Sequence, residues 1–184
     1  MEIFSDFTDP VDQPAATDFL VGYAAGGGAG SDRRWRFDRI ISWPVTRTTA
    51  AFNPGNTTLA AVPGLSIPLL AGKTYEFESH LFTTSSSTDG VKCAIAASGG
   101  LTATAIVAQA RVYDANAFKI LSRAAALGTA MGAITAVTAA YIHIVGTIVV
   151  NIAGNLDVQF AQNASSANDS TVIIGSYHKA RRIG

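Results

Sequence analysis

The sequence predicts an all-β fold, an antiparallel sandwich or jelly roll preceded by an N-terminal arm, and three observations carry that reading. Ile142, Ile144, Ile148 and Val150 fall on one side of an extended chain, and Leu156, Val158 and Phe160 repeat the same two-residue period. Tyr75, Phe77 and Leu81 alternate with Glu76, Glu78 and His80, as in a sheet with one wet face. Turn residues punctuate the chain at short intervals, leaving room for about seven or more short strands.

Residues 1–44 read as the arm. Pro10 and Pro14 stiffen an acidic start that holds Asp6, Asp9 and Asp12. Residues 17–23 read as a strand, residues 24–30 are nearly all Gly and Ala, and residues 33–40 alternate cations with apolar side chains. Two such strands pair around the glycine turn, but alone they bury too little to be stable. The arm is therefore expected to order on a partner surface, with Phe19, Val21, Tyr23, Arg34, Trp35 and Phe37 as its docking residues.

Residues 45–184 form the main body. Residues 58–66 make an irregular first strand, where Pro63 implies an edge or a bulge. Residues 71–73 turn the chain into the alternating strand 74–82, and Asp89-Gly90 closes a hairpin into Val91, Cys93 and Ile95. Gly99-Gly100 leads to a further strand over 102–112. Residues 123–138 are Ala-rich, yet Gly128, Gly132, Thr129, Thr135 and Thr138 lower helix propensity, so the stretch reads as loop and strand. Gly146 interrupts the next strand as a bulge or a close backbone approach would. Residues 151–155 read as a hairpin loop with Gly154 and Asn155 at positive φ. The runs 141–150, 156–160 and 171–174 then make one antiparallel sheet.

Composition narrows the function. Charged residues are 14% against 48% hydrophobic, well under the usual charged share of about a quarter. Such a surface suits stacked sheets and subunit contacts. The formal net charge is zero, so electrostatics make no case for nucleic acid or an anionic membrane. The single cysteine, Cys93, forms no internal disulfide and reads as a small buried hydrophobe. The acidic start lacks the basic region of a secretory signal. Residues 124–156 carry no Lys, Arg, Asp or Glu and are long enough to span a bilayer. Their Thr, His and Asn content, their alternation and the missing basic flank argue against membrane insertion.

No catalytic constellation emerges. Gly64-Leu65-Ser66-Ile67-Pro68 starts like a nucleophile elbow, but Pro68 stands where a small residue is needed and no helix follows. His80, His143 and His178 fall on three candidate strands without a ligand pair at i+2 or i+4, so no metal site is expected unless they meet across a subunit axis. Glu76 and Glu78 share a face about 7 Å apart, which alternation on a wet face explains. The glycines at 26–28 and 30 lack the Gly-Lys-Ser/Thr of a phosphate loop. Arg33, Arg34, Arg36 and Arg39 with Trp35 and Phe37 have Asp18, Asp32 and Asp38 around them, which favours protein docking over a nucleic-acid strand. The reading is of a non-enzyme with no cofactor.

Several segments resemble a jelly-roll domain of structural proteins from tailed bacteriophages and prophages. They are Leu59-Ala60-Ala61-Val62-Pro63-Gly64-Leu65, Ala71-Gly72-Lys73-Thr74-Tyr75-Glu76-Phe77 and Leu81-Phe82-Thr83-Thr84-Ser85, continued by residues 146–151, 156–164 and Gly175-Ser176. Together they cover most of residues 57–180. Thr17-Asp18-Phe19-Leu20-Val21-Gly22-Tyr23 with Arg33-Arg34-Trp35 is similar to N-terminal segments of phage tail-fibre proteins. The resemblance implies a virion protein assembled in the host cytoplasm, commonly a homotrimer attached to other tail or capsid proteins by its N-terminal segment. A short tail fibre or head fibre is the leading expectation, with a capsid decoration protein as the first alternative. A carbohydrate-binding module for host-surface glycans is the second. The end, residues 179–184, is more basic than the resemblance implies.

Overall fold

The alternation that marks the strands also sorts them into two buried faces. The computed structural model describes residues 44–85, 89–115, 117–135, 137–165 and 170–184, together with the strands at 19–23 and 32–36. The chain divides into Met1–Trp43 and Pro44–Gly184. In the first unit, β1 (Phe19–Tyr23) pairs antiparallel with β2 (Asp32–Arg36), Phe19 opposite Arg36 and Tyr23 opposite Asp32. The side chains of the expected docking residues Phe19, Val21, Tyr23, Arg34 and Trp35, and all of Phe37, lie outside the described residues.

The second unit is all-β and antiparallel. Its strands are β3 (Val45–Arg47), β4 (Ala60–Leu69), β5 (Thr74–Thr84), β6 (Val91–Ser98), β7 (Thr102–Asp114) and β8 (Ala117–Ala124). They continue with β9 (Met131–Ile134), β10 (Ala140–Ile152), β11 (Gly154–Ala161), β12 (Thr171–Val172) and β13 (Tyr177–Arg182). A large sheet runs β3-β13-β5-β10-β7-β8, with β12 added to β5, and a small sheet runs β4-β11-β6-β9. The two make a sandwich. Among the described residues no helix is long and apolar enough to cross a membrane.

The core lies between the sheets. Leu65 and Ile67 of β4, Leu156, Val158 and Phe160 of β11, and Cys93 and Ile95 of β6 line the small sheet. Phe77 and Leu81 of β5, with Ile142, Ile144 and Ile148 of β10, answer from the large one. Each such side chain contributes roughly 1.5–3 kcal/mol on leaving water. Cys93 is fully buried as expected, and burial pushes its thiol up to about 12.

Pro63 sits where both sequence expectations put it. β4 is the edge of the small sheet, and the register between β11 and β4 shifts between Asp157 and Gln159. Gly146 is a close approach and not a bulge. The pairing of β10 runs unbroken through Gly146 on both sides, while a Cβ there would collide with the Phe77 ring and the Val107 carbonyl. Residues 125–130 carry no helix, and β9 follows them.

Two expected hairpins are corners between the sheets. Asp89-Gly90 does turn, with Gly90 at φ 63°, but β5 belongs to the large sheet and β6 to the small one. The Asp89 carbonyl accepts the Asn163 and Ala164 N–H groups at 3.1 and 2.8 Å, which pins the corner to the loop after β11. Likewise β10 and β11 are separated by Ala153 alone and lie in different sheets. Neither Gly154 nor Asn155 has positive φ. Gly154 is instead packed where a Cβ would strike the Leu101 backbone and the Ser98 carbonyl. The runs at 141–150, 156–160 and 171–174 are thus not neighbours in one sheet. The apolar sides of β10 and β12, both on the large sheet and each paired with β5, face that of β11 in the small sheet across the core.

Candidate functional site

The outward face of the large sheet gathers most of the described polar chemistry. On β5 the outward positions are Glu76, Glu78, His80 and Phe82; on β10 they include Tyr141 and His143; on β13 they are Tyr177, Lys179 and Arg181. Register stacks them into rows across the strands. His80 lies opposite His143 on one side and Tyr177 on the other, and Glu78 lies opposite Lys179.

The His80 ring stacks on Tyr177 and on His143, with centroids 4.4 and 4.7 Å apart. A second row runs Phe82, Tyr141, Tyr113 and Phe118, with successive centroids at 5.4, 5.9 and 5.6 Å. Phe118 and Phe82 end that row exposed to solvent. Cross-strand aromatic pairs of this kind stiffen a sheet and leave a flat, polarisable surface.

Glu78 is the hub. Its Oε1 meets His80 Nε2 at 2.9 Å and His143 Nε2 at 2.8 Å, while Oε2 pairs with Lys179 Nζ at 2.5 Å. Partial burial alone would raise the carboxyl, but the hydrogen bonds from Lys179, His143 and His80 together outweigh it and hold it at about 2. Burial lowers the His80 pKa, and the Glu78 hydrogen bond opposes that only in part. His80 Nδ1 meets the Tyr141 hydroxyl at 2.5 Å. Glu76 pairs separately with Arg181 at 2.7 Å. The two glutamates therefore have different cation partners and are not arranged as an acid–base couple. Lys179 and Arg181 supply those partners, which accounts for the basic end of the chain.

The histidines separate into a pair and a single residue. His80 and His143 meet, and Glu78 stands two residues before His80 on the same face, a ligand-type pair that the sequence reading passed over. His178 faces the core, where Ser79 Oγ lies 2.8 Å from its Nδ1 and Phe77 contacts it edge-on. Ser66 is bonded to Asp157 at 2.5 Å between β4 and β11, in the other sheet from the histidines. The glycine run at 26–30 and the side chains of the arm's arginines lie outside the described residues.

No protein-family model matches the chain, and no curated protein does. Among solved structures, the chain is similar to one titled as infectious bursal disease virus Gt strain at 14% identity and TM-score 0.19, covering 89% of this chain and 43% of that one. The corresponding Gx strain structure gives 12% identity and TM-score 0.19 over 90% and 46%. The chain thus spans less than half the length of either, and at that TM-score the likeness carries no argument for fold or function.

Proposed function

We propose that the chain is a non-enzymatic structural protein of a bacteriophage particle, a jelly-roll trimer of the short tail-fibre or head-fibre type docked by its N-terminal segment. One observation carries the reading most. With the β7–β8 hairpin and β12 set aside, the remaining strands form the four-stranded orders β3-β13-β5-β10 and β4-β11-β6-β9. Along the chain these switch sheets at every step but β6 to β9: β3, β5, β10 and β13 lie in one, β4, β6, β9 and β11 in the other. Eight strands interleaved in that order support a jelly-roll wrapping, an architecture common in viral particles. The β7–β8 hairpin is then an insertion that widens one sheet.

The N-terminal unit supports docking as its role. A two-stranded hairpin is marginal alone and gains order by adding strands to a partner's sheet edge. Trimer formation multiplies weak single-arm binding through effective concentration. Deleting residues 1–43 is expected to leave a folded 44–184 body, checked by circular dichroism, that no longer copurifies with particles. Incorporation of the truncated chain at the level of the full chain would refute arm docking.

A second reading, a glycan-binding module, is favoured by the Phe82–Tyr141–Tyr113–Phe118 row, because flat rings stack against the C–H faces of sugars. Glycan-array binding by the 44–184 body distinguishes it from the structural reading.

A further inference from the structure

We propose that Glu78, His80 and His143 form a binding site for a first-row divalent metal ion, zinc foremost, on the outward face of the large sheet. The ligand atoms Glu78 Oε1, His80 Nε2 and His143 Nε2 all lie within 4.8 Å of one another. Both imidazole nitrogens converge on the same carboxylate oxygen, at 2.9 and 2.8 Å. Ligands of a tetrahedral zinc ion stand about 3.3 Å apart, given bonds near 2.0–2.1 Å, so the two nitrogen–oxygen separations need outward shifts of only tenths of an ångström.

The set is built on rigid elements. His80 and His143 are directly opposed in the pairing of β5 with β10, and Glu78 is one same-face step along β5. The surrounding groups orient the donors as metal sites require. Lys179 holds Glu78 Oε2, leaving Oε1 as the single carboxylate donor. Tyr141 Oη stands at His80 Nδ1, where it accepts the ring N–H once Nε2 gives its lone pair to a metal. Tyr177 stacks over His80 and limits its rotation.

Two histidines and a carboxylate suit zinc, and three protein ligands leave a fourth position open. The His80, His143 and Glu78 side chains retain 14%, 20% and 27% of their accessible surface, so the position faces solvent and water fills it. The other histidine, His178, is buried in the core and takes no part.

Calorimetric titration of untagged full-length chain with Zn²⁺ tests the site. One ion per chain is expected, and His143→Asn and Glu78→Gln should each abolish saturable binding. Tyr141→Phe, which removes only the orienting hydroxyl, should weaken affinity by about 10–100-fold. Glu76→Gln, next along the same face, should bind as the unaltered chain does. A measurement without variants guards against misfolding: Zn²⁺ should shift the imidazole nitrogen resonances of His80 and His143 and leave those of His178 in place. No saturable binding, or binding that survives His143→Asn in a folded chain, would overturn the proposal and leave a hydrogen-bonded ion-pair network.

Discussion

Phe160→Ala is expected to lower the unfolding free energy of the chain by about 3–5 kcal/mol, the cost of deleting a buried aromatic side chain. Phe160 is fully buried and is the largest of the fully buried side chains among the described residues. It projects from β11, the strand held between β4 and β6 in the small sheet. Its paired neighbours are Ala60 and Cys93, which are too small to reach into the space left behind. Collapse around the hole would have to bend a strand hydrogen-bonded on both edges, so the cavity penalty stays. A domain stable by roughly 5–15 kcal/mol loses a large share of its margin by this one change. Urea unfolding should show a lower midpoint with an unchanged slope. A loss under about 1 kcal/mol would contradict the packing described for the small sheet.

Mild acid should destabilise the chain through His178, by on the order of 3 kcal/mol between neutral pH and pH 4. Burial lowers this imidazole from its ordinary 6.5 to about 4. The folded state therefore binds fewer protons than the unfolded chain between those values. The stabilisation is complete above pH 6.5, falls as pH drops through that window, and is gone below about 4. The geometry explains the shift: Ser79 satisfies Nδ1, but Nε2 has no side-chain hydrogen-bond partner among the described residues and the ring is fully buried. Glu78, held at about 2, adds a smaller loss at still lower pH because water screens its partly exposed partners. The check is the urea midpoint from pH 7 to pH 4 for the chain and for His178→Asn. The substitution should flatten the slope. An equal slope in both proteins would mean that another group governs acid stability.

Strand positions were legible in the sequence because the two-residue period is local. Tyr75, Phe77 and Leu81 point inward as their alternation with Glu76, Glu78 and His80 requires. The partner of each strand was not legible, since periodicity reports a buried face without saying what covers it. Asp89-Gly90 and Gly154-Asn155 carry residues typical of hairpin turns, yet both sit where the chain changes sheet. What decides those corners is distant: the loop at 163–164 for the first, the Ser98 and Leu101 backbone for the second.

The candidate site was half visible in the same sense. Glu78 and His80 are a same-face pair within β5, readable from their spacing alone. His143 joins them only through a register that brings it opposite His80, across the intervening chain. His178 differs from them by parity, and the clue was Ala180 two residues on, which marks the inward side of β13. The arm's docking residues rest on composition, because their side chains fall outside the described residues.

The central claim is that this is a particle-borne structural protein, and immunogold electron microscopy of purified particles from the source of the gene tests it most directly. The account predicts label on particles. Label confined to the tail tip supports a fibre that meets the host, and sparse label on heads supports a head fibre. Dense label over the whole head would shift the role to decoration of the capsid. Particles without label, from preparations in which the chain is expressed, would contradict the claim.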